Sequence, residues 1–281
     1  KLPPLAESYA PLLRLGQMPV ANFLSDGYGK LSFQQVSPGS GGAAGGTGNQ
    51  NYGFRADLSI NNAFLLSAFY TYADDPLFAP ITVRASQPSN LWTVGGVALR
   101  GRLGHGTNWA FGAEGSVELF TVGSGGCFSF NCSSQSDNIF NTSGQRVLNR
   151  NVVGSVSLPL LWNPVPRWQL ALTPAAAFLP ASQGANQGGA GTFFGTNVSV
   201  GVGSSYRIGD QLNLFSSAVF PFGPGSNAFD QSLSFHQVPI LSVGANYALN
   251  PRIALELAVT NGYGLTPATA VLALPSAPTE P

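Results

Sequence analysis

The chain has 281 residues with 12 Lys+Arg and 12 Asp+Glu, so it is neutral and only 9% charged, against about 25% in an ordinary soluble domain. Zero net charge with scattered Lys and Arg excludes a nucleic-acid binder, which needs a basic stripe, and 44% hydrophobic residues exclude a disordered chain. The longest apolar run, Trp168 to Ala181, is broken by Pro174 and Pro180, which excludes a helical membrane span. Thirty-five glycines beside a mean hydropathy of +0.13 leave an all-β chain poor in charge.

The first stretch, Lys1 to Phe23, differs in kind from the rest. It carries Pro3, Pro4, Pro11 and Pro19, shows no alternation, and holds Leu5, Leu12, Leu13 and Leu15. A periplasmic linker is the default expectation for residues 1–27, with a small plug or a remnant of an upstream domain as alternatives. Because the first residue is Lys1, a leader is expected to have been removed or left out.

From Tyr28 onward period-two alternation dominates. Tyr28 to Val36 reads as a first strand. Tyr52 to Ile60 is apolar at every even position; Asn61-Asn62 turns the chain, and Phe64, Leu66, Ala68, Tyr70 and Tyr72 share one face of the return. Leu91 to Leu103 and Trp109 to Phe120 form a second hairpin around Gly106, with Glu114, Ser116 and Glu118 opposite Val117 and Leu119. Strands are expected at Asn151 to Trp162, Trp168 to Phe178, Thr192 to Arg207, Leu212 to Phe220, Phe235 to Ala248 and Arg252 to Thr260, with a weaker last one at Thr269 to Leu274.

Loop lengths carry the decisive pattern. Short turns at 61–62, 104–108, 163–167, 208–211 and 249–251 alternate with long Gly/Ser/Asn/Pro loops at 37–51, 73–90, 121–150, 181–191 and 221–234. Such alternation predicts a chain weaving through a membrane, with tight turns on the periplasmic side and long loops outside. Tyr52, Tyr70, Tyr72, Trp92, Trp109, Trp162, Trp168, Tyr206 and Tyr247 lie near strand ends, where an interfacial girdle places aromatics. The two cysteines, Cys127 and Cys132, sit in a polar loop and are expected to form a small disulfide, which implies an oxidising compartment.

Over residues 28–275 the chain resembles the outer-membrane β-barrel proteins of Gram-negative bacteria, in architecture rather than in motif. Residues 260–270, Thr260-Asn261-Gly262-Tyr263-Gly264-Leu265-Thr266-Pro267-Ala268-Thr269-Ala270, also resemble segments of poorly characterised cyanobacterial outer-membrane proteins. The resemblance implies an antiparallel up-and-down barrel of about twelve strands in the outer membrane, with lipid as its surroundings and a homo-oligomer or larger envelope complex as its assembly. Residues 276–281 are expected to form a tail, unless further strands follow Pro281.

Strand parity then sorts the charges. With Phe54 and Leu58 toward lipid, Arg55 and Asp57 point into the lumen, and the same parity sends Arg100, Arg102, Glu114, Glu118, Arg207 and Glu256 inward. Turn arithmetic about Gly106 sets Arg100 across from Gly112 and one diagonal step from Glu114, close enough to pair. Inward charges are either a ladder of salt bridges in a filled lumen or the lining of a polar pore.

Catalytic signals are thin. Neither a Gly-x-Ser-x-Gly elbow, a zinc-type His/Glu spacing nor a Walker loop occurs. A rim hydrolase could be assembled from Asp74, Asp75, Asp230 and His236, but they read as loop-capping acids and a lone rim histidine. The expectation is therefore a barrel with neither cofactor nor metal, acting as a passive channel for small polar solutes. The rival is a closed structural or surface-interaction barrel whose function lies in the long loops.

Overall fold

The alternating segments pair into one antiparallel sheet. The structure, a computed structural model, describes residues 11–36, 50–74, 90–124, 148–181, 194–229 and 235–273. Two short strands, β1 (Arg14–Leu15) and β2 (Met18–Pro19), form a hairpin of their own. The wall follows as β3 (Gly29–Val36), β4 (Gln50–Asn61), β5 (Phe64–Asp74), β6 (Asn90–His105), β7 (Trp109–Ser124), β8 (Leu148–Ser157), β9 (Leu160–Val165), β10 (Trp168–Phe178), β11 (Thr196–Ile208) and β12 (Leu212–Phe222). A minor hairpin of β13 (Ala228–Phe229) and β14 (Phe235–His236) precedes the last wall strands, β15 (Ile240–Asn250) and β16 (Ile253–Thr260).

Each wall strand pairs with its neighbours in the chain, the up-and-down order. β8 and β9 lie end to end between β7 and β10, so the twelve strands of the sheet occupy eleven positions. The interruption falls at Leu158-Pro159. Pro159 has no N–H to give, yet its carbonyl still accepts from Gly112 N at 2.9 Å, and Leu158 N still donates to Pro174 O at 2.9 Å.

Tight turns join the strands at one end. Asn61 Oδ1 accepts from Ala63 N and Phe64 N, and Asn250 Oδ1 does the same for Arg252 N and Ile253 N, the same side-chain-to-backbone turn used twice. Two others place Gly209 at φ 64° and Arg167 at φ 76°. In the β6–β7 hairpin the turn pairs His105 with Ala110 and a one-residue bulge follows between Arg102 and Gly104, so opposing residue numbers sum to 214 and Arg100 opposes Glu114 directly rather than diagonally.

Two expected strands differ. The span 235–248 is interrupted at 237–239, where Pro239 stands, and its first residues pair with β13 instead of the wall. The last expected strand, Thr269 to Leu274, is not one: residues 266–271 form turns, and only Ala273 bridges back, to Gly262.

Burial is inverted relative to a soluble protein. Leu31, Phe33, Phe54, Leu58, Leu66, Val117, Val152, Val202 and Val243 stand exposed on the outer face, while Asn51, Asp57, Ser67, Arg100, Glu114, Ser155, Asn197 and Ser242 are buried on the inner face. Trp109 pairs across strands with Trp162, and Trp168 with Tyr206, forming a belt near the short turns; Phe178, Phe220, Phe222, Tyr70 and Tyr72 stand outward toward the other end. Between the belts β12 runs 11 residues, which at a barrel tilt rises roughly 24–28 Å, the height of a hydrocarbon layer. An apolar outer band over a polar inner face is the arrangement of an outer-membrane β-barrel.

The two edge strands approach each other. β3 and β16 run in the same direction, because ten antiparallel steps separate them. Lys30 on β3 lies within electrostatic reach of Glu256 on β16, although the two strands share no ladder among the described residues. Every residue from Ile253 to Val259 is exposed, which marks this junction as a seam.

Candidate functional site

The inner face encloses two segments rather than an open lumen. Residues 11–24 fill the half near the short turns. Leu12, Leu15, Met18, Val20 and Ala21 pack on Leu161, Ala171 and Phe215, while Leu13, Phe23 and Leu24 pack on Leu65. Residues 262–273 turn back after β16 and fill the half near the long loops, where Tyr263, Ala268, Val271 and Leu272 meet Ala73, Val94, Phe120, Val153, Ala177 and Phe194. Residues 11–24 of the expected periplasmic linker therefore lie inside the barrel. Their leucines lack a period because an irregular plug touches different strands with successive residues.

Wall side chains tie each segment down through its backbone. Arg100 is 1% exposed. Its Nη1 donates to Leu13 O at 3.3 Å, Val20 O at 2.7 Å and Asn22 O at 3.2 Å. Its Nε donates to Glu114 Oε2 at 2.8 Å, and Nη2 stands 2.6 Å from the same oxygen. Thr173 Oγ1 and Ser217 Oγ add bonds to Pro19 O and Leu15 O. The inner segment needs these donors, because a carbonyl buried without one loses its hydrogen bond to water with no return.

Glu118, one inward position beyond Ser116 on β7, serves the other segment. Its Oε1 accepts from Ser116 Oγ and from Ala268 N, both at 2.7 Å. The carboxylate thus caps the turn that Thr266 and Thr269 build with their hydroxyls 2.7 Å apart. Asn51 Nδ2 donates to Tyr263 O, and Asn227 Nδ2 to Val271 O.

The remaining inward charges fall into smaller groups. Arg55 Nε bonds Asp57 Oδ1 at 2.7 Å, and its Nη2 donates to Ser67 Oγ. The Arg102 guanidinium lies 4.6 Å from the Phe23 ring centroid, a cation–π contact onto the plug. Glu256 accepts from Asn246 Nδ2 at 3.1 Å, and Arg207 Nε is buried with no hydrogen-bond partner. These charges do not form one continuous ladder.

Where the two segments meet, a cavity of about 50 Å³ remains. Arg14, Gln17, Glu114, Ser155, Ser157, Thr173 and Ser199 line it, with Val271 and Pro267 above. Arg14 Nη2 stands 3.6 Å from Glu114 Oε1, beyond hydrogen-bond range, and Arg14 Nε and Nη2 and Gln17 Oε1 have no hydrogen-bond partner. The sequence does not single out Arg14 and Gln17, because the plug carries no strand parity that would aim them.

Some expected features lie outside the described residues: Cys127 and Cys132, and the rim acids Asp75 and Asp230. His105 is exposed at the end of β6 and His236 is half-buried on β14. Among the described residues no group of three or more His, Cys, Asp or Glu gathers where a metal ion could sit.

Comparison with known proteins returns structures only. No protein-family model and no curated protein matches the chain, so the likeness of residues 260–270 to cyanobacterial proteins has no support. The chain is similar to the toluene transporter TodX of Pseudomonas putida at 10% identity and a TM-score of 0.43, covering 83% of this chain and 81% of that one. It is also similar to the Ralstonia pickettii toluene transporter TbuX at 9% identity and a TM-score of 0.37, covering 84% and 63%. OmpT of Vibrio cholerae, an outer-membrane protein, matches at 10% identity and a TM-score of 0.37, covering 90% and 95%.

Proposed function

We propose that the protein is a gated outer-membrane channel for small polar solutes, sealed from the two sides by its own inner segments. The cavity between the seals carries this reading. The middle of the lumen already holds an open space whose mostly apolar lining carries the Arg14 guanidinium, the Glu114 carboxylate, the Gln17 amide and several hydroxyls. A solute entering from either end needs only one short seal to shift before it reaches those polar groups. Sealing by backbone-directed hydrogen bonds suits such a role, because each bond contributes little and can be replaced by water as the segment moves. A passive open pore does not fit an inner face so occupied.

A second reading is favoured by the long-loop end. There Tyr263, Ala268, Val271 and Leu272 pack into an apolar cluster with seven residues of the wall and its margins. Such packing suits a permanently closed barrel that presents its loops.

Planar-bilayer recording separates the two. Brief openings of the parent, lengthened in Arg100→Gln and in Glu118→Ala, are expected of a gated channel. Current at the lipid baseline for the parent and both folded variants contradicts gating and leaves the closed barrel.

A further inference from the structure

We infer that solutes cross this barrel along the half of the wall formed by β10, β11, β12 and β15, and that the class admitted is uncharged and hydroxyl-rich, of the size of a pentitol. The inference rests on the channel reading and names its route and its substrate class.

Charge divides the inner face into two halves. Arg55, Asp57, Arg100, Arg102, Glu114 and Glu118 all stand on β4, β6 and β7. The opposite half offers hydroxyls and amides instead, with Thr173, Ser199, Ser205, Asn213, Ser217 and Ser242 all buried on its inner face. Arg207, near the short turn at 208–211, is the only charged residue in those four strands. The cavity lies against the same half. Its wall residues come from β8, β10, β11 and β12, and Glu114 alone comes from the charged side.

The two seals are fastened to the charged half and rest more lightly on the other. Arg100 holds three plug carbonyls and Arg102 stacks on Phe23, while Glu118 and Asn51 hold the segment 262–273. On the neutral half Thr173 and Ser217 give the plug hairpin one bond each, and Gln169 accepts from Asn22 at 3.3 Å. Between those bonds Leu15 and Met18 lie on bare backbone. A Cβ added at Gly203 would stand 2.7 Å from Leu15 Cδ1, and one at Gly201 2.9 Å from Met18 Cγ. The hairpin tip therefore lifts off β11 and its neighbours about the anchor at Arg100, and leaves a groove of glycines and hydroxyls. On that half Asn213 is 7% exposed and its Oδ1 has no hydrogen-bond partner, an acceptor that a solute hydroxyl completes. Hydroxyls both donate and accept, so a polyol exchanges water for Thr173, Ser199, Ser205 and Ser217 without losing hydrogen bonds, whereas a charged solute finds no counter-charge there.

Uptake of radiolabelled arabitol and of arabonate, a carboxylate of equal chain length, into vesicles carrying the full chain tests this, with potassium and valinomycin holding the membrane potential at zero. Arabitol is expected to enter at least about tenfold faster, because a tenfold ratio needs only about 1.4 kcal/mol and an uncompensated charge taken from water costs more. Small ions that cross with their own water still carry current, so bilayer recording remains the test of gating. The route is tested in a Cys127→Ser/Cys132→Ser background. Ser205→Cys modified by a sulfonated methanethiosulfonate should slow arabitol entry, whereas the same treatment of Ser59→Cys, also buried near the short-turn end but on β4, should not. Equal entry of arabitol and arabonate, or no greater block at 205 than at 59, overturns this inference and leaves the channel reading standing. Entry of neither solute above protein-free vesicles overturns the channel reading and this inference with it.

Discussion

At the scale of single residues, position on the inner or outer face decides what a side chain costs. Val117 is 62% exposed near the middle of β7 and faces the apolar band. Val117→Arg should destabilise the barrel by about 2–4 kcal/mol when unfolded by urea from lipid vesicles, the depth-dependent cost of a lipid-facing guanidinium. A change within about 0.5 kcal/mol contradicts the lipid-facing assignment. Glu114 tests the opposite face. Glu114→Ala leaves Arg100 and Arg14 buried without a carboxylate and should cost about 3–5 kcal/mol, measured in the same way. The double change Arg100→Met/Glu114→Met should cost less than Glu114→Ala alone, since no charge is stranded. It should not return to parental stability, because Leu13 O, Val20 O and Asn22 O lose their donor. A double variant worse than the single would mean that the pair is a net gain in its own right.

Much of this is legible in the sequence at the level of parity. Arg55 and Asp57 can be aimed inward because Phe54, Ala56 and Leu58 alternate with them, and a strand has only two faces. Arg100 and Glu114 can be brought near each other from the turn, but their register cannot, since it is set by the turn pairing His105 with Ala110 and by the bulge between Arg102 and Gly104, neither of which has a signature in residue type. What Arg100 does with Nη1 is hidden altogether, because backbone carbonyls of a distant segment leave no trace in residue type.

At the scale of elements, the two inner segments set the limits of sequence reading. Residues 269–274 alternate weakly enough to suggest a strand, yet Glu118 captures Ala268 N and the pair Thr266–Thr269 closes a turn first. Glu118→Ala removes that capture. It should make the peptide bonds of 266–270 accessible to protease added from the long-loop side, while leaving residues 14–19 protected. Equal resistance of parent and variant would show that apolar packing alone holds the segment. Residues 11–24 can be marked as different in kind by their prolines and missing alternation, but burial inside the wall depends on inward-facing Leu65, Leu161, Ala171 and Phe215 from four separate strands. Only their convergence in space reveals a plug. The interrupted strand β8–β9 is legible as a single strand because its two parts keep one parity across Pro159.

At the scale of the whole molecule, an eleven-position wall curls around two seals. The curl is tested at the seam. Cysteines replacing Lys30 and Glu256 should join through a short bifunctional thiol reagent within one chain, and failure to cross-link would mean that the sheet stays open. The seals are tested through the plug. A Cβ built on Gly201 of β11 lies 2.9 Å from Met18 Cγ, so cysteines at positions 18 and 201 come within reach of a disulfide, whose Cβ atoms are about 3.8 Å apart. The most direct measurement is therefore planar-bilayer conductance of Met18→Cys/Gly201→Cys, in a Cys127→Ser/Cys132→Ser background, before and after reduction. The oxidised, cross-linked protein should carry no current above the lipid baseline, and reduction should restore the openings of the parent. Parental current through a barrel whose cross-link has been verified, or silence of the parent itself, contradicts a channel gated by its own inner segment.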